Sequence, residues 1–279
     1  MLYGLAAWGL RQTPLQAQID MAARLGLPIL ELGIAGCPND LLQADSTRRD
    51  AEAASALFAP ASVRPLCVAT GNDFTAGSEA EVLASLRRTL AVIRLASQVG
   101  ARYLRVFAGF APKEEVTGRR FDLLVDCLRR IYEAGDACGV LPVVETHGGV
   151  KSMPDGTVRH FASVSTEDDT LDRLLSEIPA LRLNFDPANL FVLGRDVCRF
   201  YQCYRERVAY AHLKDFAPKG AGYVPVACGE GGITWRDLLG ALRHFEGPAL
   251  LEYEMPADVE RGFAASLAFL RGMEDECAS

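Results

Sequence analysis

Eight apolar, β-rich segments, each followed by an amphipathic helical pattern, predict a single (β/α)8 barrel over residues 1–279. Regularity is the second observation. No linker, low-complexity tract or block of like charge interrupts the series, so the eight units are expected to close on themselves. The third is the lack of a glycine-rich phosphate fingerprint, which counts against the alternative architecture, an open doubly wound sheet. The length of 279 residues suits a fold that runs to about 250.

Strands are expected at 2–8, 28–33, 63–70, 103–108, 141–147, 181–186, 208–214 and 249–254. The first is an apolar N-terminal stretch without a basic leader and too short for a signal h-region plus cleavage site, so it reads as a strand of a cytoplasmic protein. Among the helices the clearest is 79–99, where Val82, Leu83, Leu86, Leu90, Ile93 and Ala96 recur at three- and four-residue steps before Gly100. The run 121–138 repeats the pattern with Leu124, Leu128, Ile131 and Tyr132 and stops at Gly139. Between the fifth and sixth strands, 148–168 exceeds a usual βα loop and reads as a lid.

Hydrophobic residues make up 49% of the chain and charged ones 23%, enough apolar surface for a sizeable core. A net charge of -7 opposes attraction to phosphate backbones and anionic lipid, so neither nucleic acid nor membrane is expected as a partner. The 8 cysteines are scattered without a CxxC pair and read as reduced, mostly buried thiols. These residues leave the oligomeric state open, a homo-oligomer included.

Chemistry concentrates at the ends of the last four strands. Side chains alternate along a strand, so Glu145 and His147 share a face, as do Asn184 and Asp186, His212 and Lys214, and Glu252 and Glu254. A barrel interior is normally filled by Val, Ile and Leu, so charge at four successive strand ends needs a reason. Neighbouring strands lie about 4.8 Å apart, which lets Glu145, Asp186, His212 and Glu252 converge inside the mouth. Three gathered carboxylates repel one another unless a cation neutralises them, and one divalent metal satisfies all four groups. Such ligands suit Mn²⁺ or Mg²⁺, while the imidazole also tolerates Co²⁺, Fe²⁺ or Zn²⁺. On the same rim, His147 is a candidate for a substrate hydroxyl or for holding the Gly148-Gly149 turn. Lys214 is one for an anionic group or for a pair with Asp215 or Glu254. Glu31 and Arg105 face inward as substrate contacts or as a buried ion pair, and Trp8 is expected as an apolar wall or a core residue. Glu230 reads as support for the metal or as an exposed turn residue, and His160 and His244 as surface or loop residues.

These motifs, in this order, resemble those of the xylose-isomerase-like TIM barrel family of sugar phosphate isomerases and epimerases, with relatives among ketose epimerases, inosose dehydratase and endonuclease IV. The segments are Val-Val-Glu145-Thr-His147-Gly-Gly, Asn-Phe-Asp186-Pro-Ala-Asn189, His212-Leu-Lys214-Asp215, Gly229-Glu230-Gly231 followed by Trp235, and Leu-Glu252-Tyr-Glu254. The resemblance spans essentially the whole chain. It implies that Glu145, Asp186, His212 and Glu252 are metal ligands, with Glu145 and Glu252 also the acid/base pair. It prefers Glu252 to Glu254, because the family's ligand is usually the first glutamate of that motif. Asn189 stands near the position where the epimerases carry a second, substrate-binding histidine, so their substrate preference is not carried over.

The expected activity is that of a metal-dependent isomerase or epimerase on a small carbohydrate, working by α-proton abstraction through a metal-bound enediolate. A dehydratase or lyase on a keto-sugar or keto-cyclitol uses the same site, and an acid beside the leaving group, His147 for instance, favours it. A DNA-repair role like that of endonuclease IV, which needs many histidines, is disfavoured by 4 histidines and a charge of -7. A non-catalytic barrel is the remaining reading, and it predicts no metal uptake.

Overall fold

The chain folds so that every barrel strand has one face toward the barrel axis and one toward a helix. The structure, a computed structural model, describes residues 1–278. The strands are β1 (Leu2–Leu5), β2 (Ile29–Gly33), β3 (Arg64–Ala69), β4 (Tyr103–Val106), β5 (Leu141–Glu145), β6 (Gly149–Ser152), β7 (Val158–Phe161), β8 (Leu183–Phe185), β9 (Val208–Leu213), β10 (Asp215–Lys219), β11 (Gly222–Val226) and β12 (Pro248–Leu251). Eight of them close a parallel barrel in the order β1-β12-β9-β8-β5-β4-β3-β2. Pairing of Leu5 with both Leu251 and Leu30 seals the ring.

Two apolar clusters record the two faces. One lies inside the barrel and includes Ile29, Cys67, Tyr103, Val143, Tyr210 and Leu250. The other joins outward residues such as Val144, Leu183, Phe185, Leu213 and Leu251 to the surrounding helices. These helices are α1 (Leu15–Arg24), α2 (Arg48–Phe58), α3 (Glu79–Gln98), α4 (Gly118–Cys138), α5 (Asp168–Glu177), α6 (Pro187–Phe191), α7 (Val197–Tyr204), α8 (Trp235–Leu242) and α9 (Val259–Ala278). Reciprocal capping boxes start α2 (Thr47 with Asp50) and α3 (Ser78 with Glu81), satisfying backbone donors that the first turn leaves free. Gly139 ends α4 at φ 69°, a conformation that costs an L side chain energy.

The two strongest helical patterns match α3 and α4 to within a few residues at their ends. The expected strands match the barrel strands but run two to three residues too far at several C-terminal ends, where the chain leaves the sheet to build the mouth. Trp8 is not in β1: it opens a short 3-10 turn, Trp8–Leu10. The segment expected as a lid is not irregular. It forms the β6–β7 hairpin, and β10–β11 forms a second one, the two joining in a four-stranded antiparallel sheet, β10-β11-β7-β6. The described cysteines are unpaired, but only Cys67, Cys127 and Cys228 are fully buried and Cys203 is exposed, so the expectation of mostly buried thiols holds in part. The Cys277 side chain lies outside the described residues. Among the described residues no helix is long and apolar enough to cross a membrane.

Candidate metal centre

The inward face of four neighbouring strands continues from an apolar layer into a polar one. One step above Val143 stands Glu145, above Tyr210 stands His212, above Leu250 stands Glu252, and Asp186 follows Asn184 on β8. One ligand atom from each of Glu145, Asp186, His212 and Glu252 lies within 4.8 Å of the others, and all four residues are buried. The imidazole is the most firmly placed. Its Nε2 is 3.1 Å from Glu31 Oε1, and Glu31 also accepts from the Tyr210 hydroxyl (3.0 Å) and the Ala7 amide (2.9 Å). Nδ1 is thereby turned to the carboxylates, 3.7 Å from Glu252 Oε2 and 4.0 Å from Glu145 Oε1.

Each carboxylate has its own support. Arg105 Nε lies 3.2 Å from Glu145 Oε2, and Asn189 Nδ2 donates to Glu145 Oε1 at 3.1 Å. Asp186 caps α6, accepting from the Asn189 amide at 3.0 Å. Lys214 Nζ lies 2.8 Å from Glu252 Oε2, 2.8 Å from Glu254 Oε1 and 3.0 Å from Asp186 Oδ2. Five carboxylates, those of Glu31, Glu145, Asp186, Glu252 and Glu254, thus face two fixed cations, Arg105 and Lys214. The titration of the cluster reflects this excess. Burial disfavours a charged imidazole at His212, yet Glu31, Glu252 and Glu145 outweigh it and lift the group to about 9. Burial raises Asp186 to about 6 and also raises Glu145. For Glu252 burial is overcome by Lys214 and His212, which hold it at about 2.

A divalent ion fits these residues. Buried polar atoms normally find a hydrogen bond, and leaving one without costs about 1–3 kcal/mol. Here such atoms gather: His212 Nδ1, Asp186 Oδ2, Asn189 Oδ1, Arg105 Nε and both amide atoms of Asn184 have no aligned partner, although Lys214 and Arg105 sit close to carboxylates. His212 Nδ1 and Asp186 Oδ2 belong to the quartet, and a cation would engage both, sharing Asp186 Oδ2 with the Lys214 ammonium 3.0 Å away. The Glu31–His212 contact is the carboxylate–histidine support common behind metal-bound imidazoles.

The other sequence candidates fall in different places. Glu31 and Arg105, offered as substrate contacts or a buried ion pair, each sit in a buried charge pair with a member of the quartet, Glu31 with His212 and Arg105 with Glu145. Lys214 pairs with Glu254, as one reading has it, and also with two members of the quartet, but not with Asp215. Asp215 instead anchors the glycine-rich turn, accepting from Gly229 N, Gly231 N, Ile233 N and Trp235 Nε1. Glu230 is exposed in that turn. Trp8 is 42% exposed at the rim with the Arg11 guanidinium 4.6 Å from its ring centroid, so it is not a core residue. His147 packs edge-on against Phe107 and Phe110, with Nδ1 against Gly148 O, and burial with nearby Lys214 holds it at about 4. That agrees with its turn-holding role.

Sequence reasoning missed part of the surroundings. His160 is no simple loop residue: it lies on β7, half-buried against Phe216, whose ring centroid is 5.6 Å from Lys214 Nζ. Phe107 carries the Arg105 guanidinium at 4.2 Å from its centroid. Aromatic rings from the segment after β4 and from β7 and β10 of the antiparallel sheet therefore border the charged cluster.

Known proteins place this architecture. No curated protein matches the chain. Among solved structures, AsbF, a probable 3-DHS dehydratase involved in petrobactin synthesis from Bacillus anthracis, aligns with 17% identity over 97% of this chain and 99% of its own, at a TM-score of 0.74. The 3-keto-D-glucoside 4-epimerase YcjR from E. coli aligns with 14% identity over 98% and 99%, at 0.73. The IolI protein with a bound zinc atom aligns with 14% identity over 98% of each chain, at 0.76. At these identities the likeness is one of fold. Residues 19–273 match the family described as xylose isomerase-like TIM barrel, and the chain belongs to that family.

Proposed function

We propose that the protein is a divalent-metal-dependent isomerase or epimerase of a small carbohydrate that removes a proton from the carbon beside a carbonyl. The observation that carries this reading is the buried quartet, with four ligand atoms within 4.8 Å and its imidazole fixed from behind by Glu31. Glu145, Asp186, His212 and Glu252 would hold the ion, and their hardness suits Mn²⁺ or Mg²⁺, with Co²⁺, Fe²⁺ or Zn²⁺ admitted by the imidazole. When bound, such an ion supplies Lewis acidity that polarises a carbonyl and offsets oxyanion charge.

The protein's own residues do the proton work. One glutamate takes the α-proton, the C–H electron pair becomes the carbon–carbon double bond of an enediolate, and the carbonyl oxygen takes the charge. Return of a proton to the opposite face of that carbon gives the epimer, and to the neighbouring carbon the isomer. Lys214 keeps Glu252 ionised, which also makes it the weaker base, whereas burial raises Glu145 and makes its carboxylate the stronger base. Arg105 and Asn189 orient Glu145 and limit the paths its carboxyl can take.

Elimination on a keto-sugar or keto-cyclitol is the second reading of the same site, and it needs an acid beside the departing oxygen. His147 is poorly prepared for that: Nδ1 faces a carbonyl and so carries the proton, and the ring is neutral at ordinary pH, which leaves Nε2 an acceptor. The test is solvent exchange. Mn²⁺-loaded protein in D₂O, offered keto-sugars and keto-cyclitols, should place deuterium at the α-carbon of a substrate without loss of water. Release of water with exchange supports elimination, and no exchange from any of them removes the proposal.

A further inference from the structure

Directly beneath the quartet, the same four strands present Val143, Asn184, Tyr210 and Leu250 to the barrel axis. Three of these suit the inside of a barrel. The Tyr210 hydroxyl is spoken for by Glu31, but Asn184 is not: it is 0% exposed and neither Oδ1 nor Nδ2 has a hydrogen bond. Strand register puts it beside Glu145 on one side and Tyr210 on the other, and alternation puts its side chain on the face of Asp186. Its neighbours in sequence, Leu183 and Phe185, belong to the outer cluster, which confirms that Asn184 faces inward.

An apolar residue there would fill the layer without leaving a buried amide unpaired, so the amide is expensive unless something uses it. The hard divalent ions that suit the quartet take about six oxygen-rich ligands, more than four side chains supply. From these facts we infer that Asn184 is part of the ion site, its carboxamide oxygen serving the barrel side of the ion directly or through one water. This rests on the metal reading given above and extends it to a residue outside the quartet.

The experiment compares Mn²⁺ binding by calorimetry and thermal melting of the metal-free protein for wild type, Asn184→Leu and Asn184→Asp. Asn184→Leu should bind Mn²⁺ at least about tenfold more weakly while the metal-free form melts no lower than wild type, because an unpaired buried amide has gone. Asn184→Asp keeps an oxygen donor and should bind as tightly as wild type or tighter. If Asn184→Leu does not fold, Asn184→Ala replaces it in the same comparison. Wild-type affinity in the leucine or alanine variant overturns the inference alone, and a wild type that takes up no Mn²⁺ overturns it together with the metal reading.

Discussion

The barrel mouth has two unlike arcs. Strands β1 to β4 contribute Glu31 and Arg105, and both are committed to protein partners: Glu31 holds His212, Tyr210 and the Ala7 amide, while Arg105 lies against Glu145 and donates to Thr70 O at 3.0 Å. Strands β5, β8, β9 and β12, with the residues that directly follow them, contribute the quartet and, apart from Arg105 Nε, the buried polar atoms named above that have no aligned partner. One arc braces and the other is left with ligand capacity to spare. Stability here belongs to the apolar layers below, and the polar cost at the mouth is concentrated where a ligand could recover it.

Breaking the receptive arc should have the largest effect. Glu145→Gln and Glu252→Gln each keep size and a coordinating oxygen but lose the basic carboxylate, so substrate deuterium exchange should fall by about 10²–10⁴ with the ion still bound. Metal content and exchange measured on one sample separate the two effects. Wild-type exchange in both fully loaded variants would mean that neither glutamate is the base.

Breaking the bracing arc should cost less. Glu31→Gln keeps a hydrogen-bond acceptor behind His212 but removes the charge, and loss of such support typically lowers metal affinity by about 10–100-fold. Calorimetric titration with Mn²⁺ checks this, and an affinity equal to wild type would show that the contact behind the imidazole does not matter for binding.

How much of this was legible in the sequence follows from the range of the interactions. Glu145, Asp186, His212 and Glu252 could be found because strand alternation is local and their motifs sit at strand ends. Glu31 could be seen to face inward, but its role could not, since its partner His212 is 181 positions away and meets it only when the barrel closes. The β6–β7 hairpin did leave a signal: Asp155-Gly156 between short β-branched and aromatic segments is turn chemistry, with Gly156 at φ 79°. Length alone made the segment look like a loop. Asn184 was visible as the inward neighbour of Asp186, but its unpaired amide is a property of packing that no pattern in the chain records.

A gentler probe of the same contrast is pH. In the metal-free protein His212 titrates at about 9, above its unfolded value of about 6.5, so its contribution to stability is complete below about 6.5 and is lost as pH rises through about 9. A metal must displace that proton, so Mn²⁺ affinity should climb by roughly tenfold per pH unit up to about 9 and then level. Below about 6 protonation of Asp186 should steepen the slope. Titrations in buffers of different ionisation enthalpy count the protons released, and an affinity flat from pH 6 to 9 contradicts this charge state.

Whether the quartet holds one divalent ion is decided by elemental analysis of the purified protein after Mn²⁺ loading and desalting, alongside His212→Ala. Close to one ion per wild-type chain is expected, with strongly reduced occupancy in the variant, whose circular dichroism stays that of a folded barrel because the apolar layers are untouched. A wild type that retains no Mn²⁺, Co²⁺ or Zn²⁺, or a His212→Ala protein that retains as much as wild type, would contradict a one-ion site at the quartet.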